Sequence, residues 1–206
     1  MATVTVRGRA AVPAEPDEAT VMLELSSRQQ TADAAYGEVA ERNAQLRAVC
    51  DELGIPASSR STEGIWVGPH VEYVDGREEH RGYRALNRIV VRLASPEVVA
   101  RLIQESVAQA DARVQGPSWY VRPDNPAHAE ARRLAAEDAR ERAATYAAAL
   151  GVRLGALERV AEPEVTSQQP PVARSFAAID QGVIDVEAGE RLVHAAVDVS
   201  FVLEQA

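Results

Sequence analysis

The chain has 206 residues, 46% hydrophobic and 26% charged, so it is long and apolar enough to bury a core and is neither disordered nor fibrous. Its 22 basic residues, all arginine, face 31 acidic ones; the net charge of -9 excludes a global basic footprint for nucleic acid and sets the chain against an anionic membrane surface. One cysteine excludes an internal disulfide framework, and no apolar run is long enough for a transmembrane helix.

The first predicted element is a short strand over Thr3–Arg9, with Val4 and Val6 on one face, followed by a turn at Pro13 and Pro16. Ala19, Val21, Leu23 and Leu25 alternate with polar partners and predict a half-buried strand over 17–27. Thr31 is the expected N-cap of a helix whose inner stripe is Tyr36, Val39, Leu46, Val49 and Leu53, and which Gly54 stops. Two strands follow, 59–74 and 81–93, with Asp75-Gly76 as the turn between them. Ser95-Pro96-Glu97 opens a second helix with Val99, Leu102, Ile103 and Ser106 inward. A strand over 113–121 carries Trp119 and Tyr120.

Asp124-Asn125-Pro126 then caps the longest helix, 126–150, whose expected stripe is Ala131, Leu134, Ala135, Ala139, Ala143, Tyr146, Ala147 and Leu150. A strand near 155–161 precedes a Pro- and Gln-bearing stretch over 162–188, read as a long loop or arm. The last strand spans 190–203.

From 17 to 121 the order is strand, helix, strand, strand, helix, strand, the split βαβ pattern of the ferredoxin-like fold. The expected fold class is therefore α+β, a two-layer sandwich: a ferredoxin-like βαββαβ unit over 17–121. A second small α+β unit is built from both chain ends, 1–16 and 122–206, with the first and last strands together.

Five ordered segments resemble the SIMPL-domain family. They are Val6-Arg7-Gly8, Pro16-Asp17-Glu18-Ala19, Arg81-Gly82-Tyr83-Arg84-Ala85-Leu86-Asn87, Glu137-Asp138-Ala139-Arg140, and Gly189-Glu190 with the alternation from Val197 to Leu203. The better-known bacterial members are periplasmic immunogenic and stress-protective proteins. The resemblance implies a two-part α+β fold, large homo-oligomers, and no established catalytic residues or cofactor. No leader is visible before the first strand, so the cytoplasm is the expected compartment.

Candidate site residues come from two sets. Arg84, Arg88 and Arg92 project from one face of one strand, where they pair with carboxylates such as Glu24 or Asp198, line a subunit interface, or bind an anion. Trp66, Trp119 and Tyr120 are large aromatics suited to an interface anchor, a stacking platform or a plain sheet edge. His70, His80, His128 and His194 fall in no metal-binding spacing, and Cys50 reads as a buried structural thiol. No nucleophile elbow, phosphate loop or dinucleotide fingerprint occurs. The expected function is thus noncatalytic, without metal or cofactor, exerted through self-assembly and protein surfaces, with a stress-related role implied by the resemblance alone. The alternative is an anion or nucleic-acid binding module using the arginine face of strand 81–93. A homo-oligomer and a protein partner are expected; nucleic acid ranks low, and no membrane partner is expected.

Overall fold

A computed structural model describes residues 2–163 and 186–205, apart from Asp75. In chain order the elements are β1 (Ala2–Ala14), β2 (Glu18–Gln29), α1 (Ala32–Glu52), a 3-10 turn (Ala57–Ser59), β3 (Arg60–Val74), β4 (Arg77–Leu93), α2 (Pro96–Ala110), β5 (Arg113–Tyr120), α3 (Pro126–Ala149), β6 (Val152–Ala161) and β7 (Arg191–Gln205). They form two units, one an antiparallel sheet with α1 and α2 on one face and the other an antiparallel sheet with α3 alone. The architecture is the expected α+β two-layer sandwich.

One unit contains Asp17–Tyr120 and, of the described residues beyond, 186–188. Its sheet has the order β3-β4-β2-β5. β4 lies between β2 and β3 and is antiparallel to both, which is the ferredoxin-like arrangement. Alternation decides the faces. Ala19, Val21, Leu23 and Leu25 of β2 and Ala85, Ile89 and Val91 of β4 point into a core completed by Val39, Leu46 and Val49 of α1 and Val99 and Leu102 of α2. Each fully buried Val or Leu contributes about 1.5–3 kcal/mol.

The helices start where local chemistry satisfies their free amides. Thr31 Oγ1 accepts from Ala34 N at 3.2 Å, Ser95 Oγ from Val98 N at 3.3 Å, and Asn125 Oδ1 from Ala127 N at 2.9 Å. α1 and α3 stop at Gly54 and Gly151, whose φ of +69° and +71° suits a residue without Cβ.

The other unit contains residues 2–16, 121–163 and 189–205. β7 is the middle strand of the order β1-β7-β6. β1 pairs along its whole length, from Ala2–Leu203 to Ala14–Arg191, so the first and last strands do meet. α3 lies on this sheet through Ala131, Ala135, Ala139, Ala143 and Ala147, a line with a strict spacing of four. The approach is close because β1 offers it Gly8: a Cβ there would stand 1.9 Å from the Ala135 carbonyl oxygen and 2.6 Å from Ala139 N. Asp138, next on the helix, accepts from the backbone N of Arg9 at 2.9 Å and pairs with Arg142 at 2.9 Å. β1 is an edge strand, and this carboxylate engages one of its amides.

Several local expectations need correction. Tyr146 is 57% exposed and Leu150 is exposed too, because the alanine line alone meets the sheet and larger side chains splay to its flanks. Tyr36 is likewise exposed, and Ala35 takes its place in the α1 stripe. In α2, Ala110 is buried where Ile103 is only partly so. β1 continues through Pro13, which an edge strand tolerates. β4 begins at Arg77 rather than residue 81, and β6 at Val152 rather than 155. The turn expected at Asp75-Gly76 agrees with the pairing of Val74 and Arg77, though Asp75 itself lies outside the described residues. So does 164–185, most of the loop expected over 162–188.

Candidate functional site

The helices of the ferredoxin-like unit cover one face of its sheet. Residues of β4 that alternate with the core, Arg84, Leu86, Arg88, Val90 and Arg92, belong to the opposite face. Glu24 of β2 is in register with Arg88 and binds it at 3.0 Å; Arg84 stands 3.6 Å from the same carboxylate. Asp198, the other expected partner, is taken by Arg7, with Nε donating at 2.6 Å and Nη2 at 2.7 Å. The Arg7 guanidinium holds the Asp198 carboxyl below its ordinary range.

Trp66 on β3 is in register with Leu86 and shares this face, its ring lying across Gly68. Tyr120, in register with Glu18 on β5, is on the same face at the opposite sheet edge. Trp119 is not: it is 7% exposed and part of the core beside Ala19. Five of the six candidate residues therefore share one face, and Trp119 packs under the helices.

Sequence reasoning missed a cleft at the end of this sheet. β5 stops pairing at Glu24, while β2 runs on to Gln29 with β4 as its one neighbour. In the space left, Ser26, Ser27, Arg28 and Gln29 of β2 and Arg84 of β4 line a cavity of about 410 Å3. Glu38 and Arg42 of α1 and Asp111 after α2 complete it. Arg42 organises one wall: its Nη1 donates to Ser26 O at 2.8 Å and pairs with Asp111 at 2.9 Å, and its Nη2 pairs with Glu38 at 2.6 Å. Ser27 Oγ at 2.5 Å and Gln29 Nε2 at 2.6 Å donate to the second Glu38 oxygen. These donors, Ser27 foremost, hold the Glu38 carboxyl below its usual range. The missing signal was the register between β2 and β4, strands separated by a helix and a third strand.

A second feature lies at the same end. Tyr83 is the last β4 residue paired with β2, through Gln29, so β3 and β4 continue as a two-stranded ribbon to the Val74–Arg77 pair. Toward and along it, Ile65 is 63% exposed, Trp66 48% and Tyr73 74%, with Val67 and Val71 also exposed. Its polar groups pair locally: Arg81 with Glu79 at 2.6 Å, His70 with Glu72 at 3.2 Å, and the Tyr73 hydroxyl with Glu78. The His80 ring meets Tyr83 edge-on at 5.2 Å.

Cys50 is buried, and burial pushes its thiol up from the ordinary value. Among the described residues, no group of three or more His, Cys, Asp or Glu is placed to hold a metal ion, and no helix is long and apolar enough to cross a membrane.

Residues 4–201 match the family described as "SIMPL: Protein of unknown function (DUF541)". The chain belongs to the SIMPL family. Among its relatives, the 26 kDa periplasmic immunogenic protein of Brucella melitensis is 27% identical over 212 residues, covering 97% of this chain and 84% of that protein. The Escherichia coli K12 protein YggE, described as uncharacterized, is 26% identical over 207 residues, covering 98% of this chain and 83% of YggE. YggE of Edwardsiella ictaluri is 26% identical over 176 residues, covering 85% and 74%. Among solved structures, the designed protein Foldit4 gives a TM-score of 0.24 at 11% identity, covering 48% of this chain and 91% of its own, and carries no argument.

Three residues of the segments that resemble the family do structural work in this SIMPL chain. Gly8 admits α3, Asp138 holds the Arg9 amide, and Asn87 is buried with its Nδ2 donating to Asn43 Oδ1 at 3.2 Å. None of the three lines the cleft.

Proposed function

We infer that the chain is a noncatalytic protein that assembles with copies of itself, with the exposed edge strand β3 as the contact. One observation carries this reading: Ile65, Trp66, Val67, Val71 and Tyr73 gather on one exposed element, leaving a large apolar area in water. Trp and Tyr are the side chains that most often anchor interfaces. β3 is an edge strand with unpaired backbone groups to offer a neighbour, so burial of its apolar side chains against another copy is favourable. The stress-related role and the cytoplasm belong to the same proposal; recovery of the chain from the periplasm, the compartment named for the Brucella relative, would replace the latter.

Light scattering behind a sizing column tests the assembly. A species at several multiples of 22.2 kDa is expected. The triple variant Ile65→Ser, Trp66→Ser, Val67→Ser is expected to lower that mass while keeping the far-UV circular dichroism. A wild-type monomer at micromolar concentration would overturn the reading.

A further inference from the structure

The cleft at the end of β2 holds a charge arrangement that the fold does not need. Arg28 of β2 and Arg84 of β4 are direct partners in the antiparallel register. Side chains so placed have Cβ atoms about 4.5–5.5 Å apart, and like charges there destabilise a sheet. Neither guanidinium is well compensated. Arg84 reaches Glu24 only at 3.6 Å, and Glu24 is held more closely by Arg88 at 3.0 Å. Arg28 makes no ion pair among the described residues. Both line the same cavity of about 410 Å3.

The helix side of the cleft has the complementary bias. Glu38 and Asp111 share one guanidinium, that of Arg42, which leaves an excess of negative charge there. Every side chain lining the cleft is polar or charged, so no aromatic ring or acyl chain has a surface to rest on. Ser26, on the same face as Arg28 and Arg84, adds a hydroxyl.

We propose that this cleft binds a small hydrophilic phosphate monoester. Its phosphate lies between Arg28 and Arg84, and its hydroxyl or amine groups donate toward Glu38 and Asp111. A tetrahedral dianion offers each planar guanidinium oxygens at hydrogen-bonding geometry and turns the Arg28–Arg84 repulsion into a bridge. Arg88 acts only by holding Glu24, and Arg92 stands farther along the strand and takes no part. The site is independent of whether β3 mediates assembly.

The test is calorimetric titration and thermal unfolding of the full chain, with inorganic phosphate and glucose 6-phosphate as probes, at fixed ionic strength. Both probes are expected to bind and to raise the melting temperature, glucose 6-phosphate at lower concentration. R28Q and R84Q are each expected to weaken binding about tenfold or more, the loss of a charge-assisted contact. R92Q, farther along the strand and opposite Thr20, is expected to bind as the wild type does. Ligand-free R28Q is expected to melt no lower than wild type, since the substitution removes a like-charge pair. Equal response of wild type, R28Q and R84Q, or no response at millimolar probe, overturns the proposal. So does a ligand-free R28Q that is less stable than wild type, for that would make Arg28 a structural residue. Phosphate bound better than its sugar ester would remove the role given to the Glu38–Asp111 wall and overturn the ester assignment.

Discussion

Asp138 joins α3 to β1 through one side chain. It accepts the Arg9 backbone N–H at 2.9 Å and the Arg142 guanidinium at 2.9 Å, and these contacts, the backbone one foremost, hold its carboxyl below the ordinary value of 3.8. The sign of the pH effect follows. A carboxyl that is more acidic folded than unfolded contributes stability that is complete above the unfolded value, and that stability is lost as pH falls through the folded one. The urea midpoint should therefore decline below about pH 4. D138N keeps an oxygen acceptor for Arg9 but cannot titrate, so its midpoint should be lower near neutrality and fall less steeply in acid. Parallel midpoint-versus-pH curves for the two proteins would show that other carboxylates, such as Asp198, account for the acid slope.

At the scale of the element, α3 and β1 are fitted to each other by what they lack. Gly8 has no Cβ to meet the Ala135 carbonyl, and the five alanines have no bulk to hold the sheet away. G8A and A139L should each cost about 1–3 kcal/mol by overpacking, with no change in solvent-face chemistry. Denaturant unfolding of the full chain measures this. The same contact explains what was legible in advance. Periodicity located α1, α2 and α3 and the caps at Thr31, Ser95 and Asn125, because those signals are local. It misplaced Tyr146 and Leu150, because a 3.6-residue period accepts a wide stripe and only the partner surface narrows it to one row. Strand alternation put Arg84, Arg88 and Arg92 on one face correctly. It did not reveal that Arg28 faces Arg84, since pairing between strands far apart in sequence is set by the packed core. Nor did it choose between Trp119 and Tyr120; β5 pairs with Ala19 at Trp119, which turns the indole into the core.

At the scale of the whole molecule, a net charge of -9 coexists with a sheet face that gathers Arg84 and Arg88 around a single Glu24, with Arg92 farther along the strand. Global charge excludes a general polyanion binder but does not exclude a local anion site, and the two proposed surfaces sit on different chemistry: exposed apolar side chains of β3 and a polar cleft. The order in which the parts can form is also set by connectivity. All strands and helices of the ferredoxin-like unit are complete once Tyr120 has been made. The other sheet is different, for its middle strand is β7, the last element in chain order, and β1 waits for it from Ala2–Leu203 onward. During synthesis β1 and β6 have no partner in their sheet until the final strand leaves the ribosome. The nascent chain thus carries a folded half and an unfinished half at once, and a stop codon placed before residue 191 would delete the centre of a sheet rather than trim its border.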